Sequence, residues 1–360
     1  MIIGLIGARG TVPTSKTATT SFLVDNWYLF ECPSEIVQAF HKYQENWVKL
    51  TDKTSDIELK SLGRPTLGKI RYIILSHLHF DHWGGLTHII HRILLLEKEK
   101  REKSPLKLII PKNSTLPFQQ RMNQMFNGVF SEYPLPDEEF LYRILAIEVG
   151  AGVKNVLQII VISDGDSIPL GPGYSLTAKQ NNHLSSGSLS FNLKHKITKL
   201  KKQKALKMGV PFDKTLKRIE KSQTPVRIGN LNISRSDLFL DQVTVLSYSG
   251  DTSIDSNLFK FFNETHILIH ETTYLTPEEL FHLDLHADFA SLIKEADNLS
   301  TLKFLIPIHF SIRHTDEEIA DHINSISNKL YKIINPLDVL VVLLTRKSCT
   351  FYNRIKGDLQ

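Results

Sequence analysis

Short apolar runs rich in β-branched residues alternate along the chain with longer stretches of helical period. Residues 2–6 read as a strand, followed by a Gly-Pro loop over 7–13. Residues 20–24 and 27–31 read as a hairpin about Asp25-Asn26. Residues 33–43 predict a helix with Pro33 in its first turn. Residues 71–76 read as a buried strand running into a His-rich loop, after which Gly84-Gly85 opens a helix to about Leu96. Residues 107–110 predict a strand stopped by Pro111. In the second half, 158–162, 174–178, 189–193, 243–248, 265–270, 303–308 and 339–344 predict further strands, and no repeat of 20–50 residues appears. Two halves of similar strand–helix style predict two sheets sandwiched between helices rather than one doubly wound sheet.

The chain has 360 residues, 41% of them hydrophobic and 22% charged, enough to bury a sizeable core. This excludes wholesale disorder, a collagen repeat and a disulfide-stapled mini-protein. Cys32 and Cys349 stand far apart, with neither zinc-finger spacing nor a disulfide framework, which fits a reducing, cytoplasmic setting. The first residues lack a basic n-region. The most apolar later stretch, 86–96, is interrupted by His88, His91 and Arg92 and falls short of the roughly 20 apolar residues of a membrane span. No membrane partner is therefore expected.

Charge changes the picture once it is located. The net charge is +5, yet residues 194–221 hold eleven Lys or Arg against Asp213 and Glu220, a local +9 that leaves −4 on the rest. A charge run is commonly a solvated face; its single sign here points equally to a polyanionic partner.

The sharpest motif is Ser76-His-Leu-His-Phe-Asp-His82. In extended chain, residues i and i+2 point the same way, so His77 and His79 can grip one ion; Asp81 and His82, past the turn, can grip a second. Imidazole with carboxylate suits Zn²⁺, Mn²⁺ or Fe. His183 between two predicted strands, Asp251 after 243–248, and His309 after 303–308 stand where further ligands are expected. Asp251 suits a bridge, because a carboxylate can offer one oxygen to each of two ions. Taken singly, each histidine would be an ordinary partly buried ring; together they point to ligation.

This pattern resembles the metallo-β-lactamase superfamily, and within it the ribonuclease Z family of tRNA 3′-processing endonucleases. The further matching pieces are Ser-Gly-Asp-Thr at 249–252, His-Glu-Thr-Thr-Tyr at 270–274, Leu-His-Ala at 285–287 and His-Phe-Ser-Ile-Arg at 309–313, with the stretch 205–218. The resemblance implies a single four-layer αββα sandwich over 1–360, with an inserted basic arm at 194–235 that holds tRNA. It implies two zinc ions per chain: His77, His79 and His183 on one, Asp81, His82 and His309 on the other, Asp251 bridging. It also implies a homodimer acting on precursor tRNA, leaving a 3′-hydroxyl upstream and a 5′-phosphate on the trailer. Asp81 would orient the nucleophile, and His286, steadied by Glu271, would protonate the leaving ribose oxygen. Candidate RNA contacts are Lys199, Lys201, Lys202, Lys204 and Lys207 on the arm, with Lys16 and Arg313.

The loop over 10–21 keeps Pro13 and Lys16 but lacks the Arg and Asn of the family pattern, and Glu31-Cys-Pro replaces its Asp-Cys-Gly. Residues 46–67 and 116–156 match no part of it. Two rival functions share these residues: another hydrolase of this fold, acting on a small phosphodiester, lactone or thioester, and a nucleic-acid-binding module with a dead site. Seven presumed ligands argue against the second, and the basic segment favours RNA over the first.

Overall fold

A computed structural model describes residues 1–61, 63–125, 134–150, 152–171, 173–183, 187–279, 285–326, 330–344 and 349–354. The chain divides into two compact units. The first comprises 1–167, 177–192 and 246–360, the second 168–176 and 193–245.

In the first unit one sheet runs, edge to edge, Cys349–Asn353, Val339–Leu344, Ile2–Arg9, Ser21–Val24, Tyr28–Phe30, Tyr72–Ile74, Leu106–Pro111 and Leu157–Ile162, with Ala18–Thr19 beside Ile2–Arg9. The strands from Tyr28–Phe30 to Leu157–Ile162 are mutually parallel. The hairpin joining Ser21–Val24 to Tyr28–Phe30 turns on Asp25 (φ 48°) and Asn26 (φ 59°). Two successive left-handed residues give the turn whose twist matches the strands, and Asp and Asn tolerate that conformation best after glycine.

Alternation along the strands assigns the faces. Phe22 and Phe30 are cross-strand partners, stacked at 4.5 Å, and meet the Tyr248 ring edge-on at 5.1 and 5.8 Å. Tyr248 belongs to the second sheet, so these rings fill the space between the sheets. Their neighbours Leu23 and Leu29 point the other way, into a core with Ile36, Phe40, Trp47, Ile89, Ile93 and Leu141 from helices Ile36–Lys53, Leu86–Lys103 and Asp137–Val149. The first of these helices is ten residues longer than its predicted end at 43. Its apolar stripe Ile36, Phe40, Tyr43, Trp47, Leu50 keeps the 3–4 spacing throughout, and all five are buried.

The second sheet orders Lys332–Ile333, Phe304–Ile308, Ile267–Glu271, Phe239–Tyr248, Leu189–Leu200, Tyr174–Gln180 and Ser167–Gly171. Helices Ser256–Phe261, Phe289–Ala296 and Asp316–Ser325 cover its other face through Phe259, Phe262, Phe289, Leu292 and Ile319. Helix, sheet, sheet and helix thus form the four layers that the sequence predicts. Ile267–Glu271 and Phe304–Ile308 run parallel, so their ends at Glu271 and Ile308 fall side by side.

The second unit has its own small core of Ala205, Val210, Ile219, Ile233, Leu238 and Phe239. The predicted strands at 189–193 and 243–248 extend to Leu189–Leu200 and Phe239–Tyr248, contributing residues to both units. Within the second unit Asp241 gathers Lys196 and Arg235, each at 2.9 Å. The described residues of segments 46–67 and 116–156 include helices Ile57–Ser61, Leu116–Met125, Asp137–Val149 and Val153–Val156. Among the described residues no helix is long and apolar enough to cross a membrane.

Candidate metal centre

Strand Tyr72–Ile74 delivers Ser76 to a fixed place: its N–H donates to Glu31 Oε1 at 3.0 Å, and its carbonyl accepts from the Leu189 N–H at 2.9 Å. His77 and His79 follow in extended chain. His79 occupies the N-cap position of the short helix Phe80–Trp83, which carries Asp81 and His82. Asp251 arrives from the second sheet just after Gly250, whose φ is 61°. A β-carbon on Gly250 would lie 2.8 Å from Ser76 Cβ and 2.9 Å from Leu189 O, so only glycine admits this approach of the two sheets.

Two donor groups result. His77, His79, His183 and Asp251 place one ligand atom each within 4.8 Å of one another, and so do Asp81, His82, Asp251 and His309. Asp251 Oδ2 is common to both, at 3.7 Å from His77 Nε2, 3.9 Å from His183 Nε2, 3.3 Å from His82 Nε2 and 3.2 Å from His309 Nε2. Within the first group His183 Nε2 lies 3.2 Å from His79 Nδ1; within the second, Asp81 Oδ2 lies 3.4 Å from His309 Nε2.

The far sides of the rings face polar groups. Ser76 Oγ lies 3.0 Å from His77 Nδ1, Leu285 O 3.2 Å from His183 Nδ1, Glu31 Oε2 3.4 Å from His82 Nδ1, and Thr273 Oγ1 2.9 Å from His309 Nδ1. Such partners fix ring orientation and tautomer at metal sites. His77 Nε2 and both ring nitrogens of His82 are buried and have no hydrogen bond among the described residues. A divalent cation satisfies such orphaned nitrogens, so the donor set fits one. Burial pushes His77 well below the ordinary imidazole range and His79 to about 4, leaving neutral rings with lone pairs to give. Burial would raise Asp81, but His82 and His309 beside it hold it at about 2. Burial would likewise raise Asp251, and His309, His82 and His77 hold it far below the usual range.

A third cluster adjoins the second. Glu271, Thr273 and His286 interlock: Glu271 Oε1 lies 2.9 Å from His286 Nδ1 and accepts from the Thr252 N–H at 3.0 Å, while Oε2 accepts from the Thr273 N–H and hydroxyl, each at 3.0 Å. Burial would lower His286, but the Glu271 charge outweighs it and lifts the imidazole to about 9. The ring is therefore a cation near neutrality, with Nε2 on the side away from Glu271. Its side chain is 25% exposed, open enough to be reached.

Sequence reasoning named the seven ligand candidates with Glu271 and His286, and the structure brings them together. It passed over Glu31, Ser76 and Thr273, which orient the rings. Thr273 lay inside a quoted motif; Glu31 gave no local signal beyond an acid at a strand end. Of the other histidines, His270 is buried with Nδ1 2.7 Å from Glu271 O, and His314 Nε2 pairs with Glu279 at 2.7 Å. His282 lies outside the described residues.

The candidate RNA contacts are more dispersed. Lys16 pairs with Glu317 on the surface, and the Arg313 guanidinium lies 5.9 Å from the Tyr274 ring centroid. In the second unit Lys199 bonds Gln242, Lys201 donates to Ser236 O at 2.8 Å and Lys204 lies 3.3 Å from Asp237. Lys202 and Lys207 are exposed.

A family model described as Metallo-beta-lactamase superfamily matches residues 53–97. Ribonuclease Z of Pyrococcus abyssi is 26% identical over 228 residues, 59% of this chain and 60% of that protein. Ribonuclease Z of Thermococcus sibiricus is 26% identical over 290 residues, 78% of this chain and 81% of that protein. Among solved structures, the human short-form tRNase Z superposes with a TM-score of 0.51 at 14% identity, covering 96% of this chain and all of that one. A metallo-beta-lactamase fold protein from Bacillus subtilis gives 0.52 at 12% identity, covering 93% and 96%.

Proposed function

From a chain that has the metallo-β-lactamase fold and resembles ribonuclease Z, we propose a metal-dependent endoribonuclease that cuts precursor tRNA near its 3′ end. The observation that carries this reading is the pair of donor groups sharing Asp251, with the Glu271–His286 couple against the second. The ribonuclease Z relatives favour RNA over a small phosphodiester, lactone or thioester.

His77, His79 and His183 would hold one ion, Asp81, His82 and His309 the other, and Asp251 both; two Zn²⁺ are the favoured pair, with Mn²⁺ or Fe compatible. Bound there, two divalent cations supply Lewis acidity toward the phosphate and a nucleophilic water at neutral pH. Asp81, ionised, accepts a hydrogen bond from the attacking water and aims it in line with the scissile bond. As the P–O bond to the ribose 3′-oxygen breaks, His286 gives its Nε2 proton to that oxygen, and Glu271 stabilises the imidazolium until then. The upstream RNA ends in a 3′-hydroxyl and the trailer keeps the 5′-phosphate.

In this reading the basic segment within 194–235 is an arm that contacts tRNA phosphates, through Lys199, Lys201, Lys202, Lys204 and Lys207, while Lys16 and Arg313 contact RNA near the cut. The enzyme acts in the cytoplasm as a homodimer.

The test is cleavage of a 3′-extended precursor tRNA by purified protein of known zinc content, with Asp81→Ala alongside. A single cut near the discriminator base, absent in the variant, is expected. No cut by protein holding about two zinc ions per chain sinks the tRNA reading in favour of a small-ester hydrolase.

A further inference from the structure

Arg9 is fully buried, although its strand ends at the surface loop over 10–17. Its guanidinium reaches into the turn that follows His309. Nη1 donates to Ser311 O at 2.9 Å and to His314 O at 2.8 Å, and Nη2 pairs with Asp316, the first residue of helix Asp316–Ser325. Thr14 Oγ1 donates to the other Asp316 oxygen at 3.2 Å. The backbones of the two segments are joined as well: Gly10 N–H donates to Phe310 O at 2.9 Å, and Phe310 N–H to Ala8 O at 3.2 Å.

Arg9 Nε is buried with no hydrogen bond among the described residues, and an apolar side chain would fill the same space without that cost. What Arg9 does that an apolar residue cannot is tie three points of one turn together. The ligand at the head of that turn needs such support. His309 has φ 64°, a left-handed conformation that residues with a β-carbon seldom adopt and that survives only where the surroundings over-determine it. Gly10, next to Arg9, leaves room for its ring: a β-carbon there would lie 3.3 Å from His309 Cε1.

We propose that Arg9 is a positioning residue for His309. By clamping the 311–316 turn, it keeps the imidazole in its left-handed place in the second donor group and so sets that group's affinity for a cation without touching it. The inference rests on reading the His/Asp cluster as a two-metal centre. It is selective, because among the described residues the Arg9 side chain makes its hydrogen bonds and ion pair to Ser311, His314 and Asp316, none of them on the segments of His77, His79 and His183.

Zn²⁺ titration of metal-free protein, followed by calorimetry, tests this. His309→Ala identifies which of two binding steps belongs to the second group. In Arg9→Lys, which keeps the charge but cannot fork to three acceptors, that step weakens at least about 10-fold, the scale set by losing a group that orients a ligand; the other step stays within about 3-fold. Asp316→Asn, which leaves Arg9 its two carbonyls, shifts the same step in the same direction by less. Folded variants with both steps unchanged, or both weakened alike, overturn the proposal. So does loss of the far-ultraviolet helical signal in both variants, since Arg9 would then hold the sheet rather than the turn. Fewer than two steps in the parent protein is a different failure: it removes the two-metal reading, and this inference with it.

Discussion

His286 Nδ1 lies 2.9 Å from Glu271 Oε1, and that contact decides whether the imidazole is charged. Burial alone would lower it; the carboxylate raises it to about 9. In Glu271→Gln the shape remains and the charge is gone, so the ring titrates well below the parent's value of about 9. Proton NMR of metal-free parent and variant measures this directly. The sign for stability follows. The folded value exceeds the unfolded one, so the stability from this pair is complete below about pH 6.5 and is lost as pH rises through about 9. The parent must lose more stability than Glu271→Gln across that window; equal losses would show that the pair does not titrate there.

If His286 protonates the leaving oxygen, its removal should matter only where the leaving group needs a proton. His286→Ala is expected to lower kcat on precursor tRNA by about 10²–10⁴, with KM within a few-fold. A p-nitrophenyl phosphodiester, whose leaving group departs unprotonated, should be cut at near the parental rate. An equal loss on both substrates would move His286 from proton transfer to support of the second donor group.

Asp251 and His79 should differ in metal content. Asp251 is shared by both donor groups, whereas His79 belongs to one. Asp251→Ala should leave protein with close to no bound zinc after dialysis against a weak chelator, and His79→Ala should keep close to one ion per chain. Each lost ligand removes a bond and leaves buried imidazoles unpaired, so affinities should fall by orders of magnitude rather than by fractions. Elemental analysis decides. One ion retained in Asp251→Ala would mean that the groups do not depend on a common carboxylate.

The legible part of this molecule is the part whose signal is local. Seven donors could be named because His-x-His-x-Asp-His is compact and because His183 stands between two predicted strands while Asp251 and His309 follow one. The sandwich was legible because strand and helix patterns recur in the same style in both halves of the chain. What escaped depends on contacts distant in sequence. Glu31 appeared only as an acid in place of a family Asp, yet it is buried at φ 62° with one oxygen on the Ser76 amide and the other 3.4 Å from His82. Nothing within ten residues of it announces that partner. The second half of helix Ile36–Lys53 was missed for another reason: Trp47 and Leu50 continue the stripe beyond the predicted end at 43, through polar neighbours.

The basic segment offers the last prediction. The second unit holds thirteen Lys or Arg against four Asp or Glu, a charge of +9. Some of this is matched internally, since Asp237 faces Lys204 and Asp241 faces Lys196 and Arg235. Lys202 and Lys207 begin and end helix Lys202–Lys207, and both are exposed. Cations that neutralise RNA phosphates release counterions, so each lost contact lowers the slope of log affinity against log salt by about one. Reversing both to Glu should weaken precursor tRNA binding at least about 10-fold at physiological salt and reduce that slope by about two. Hydrolysis of a small phosphodiester should persist, because neither lysine is among the donors. The weakening should also be uniform across tRNA sequences, as phosphate contacts carry no base information. Filter binding at several salt concentrations reads both quantities. An unchanged slope would take Lys202 and Lys207 out of the RNA contact and leave the charge on this unit as a solvated face.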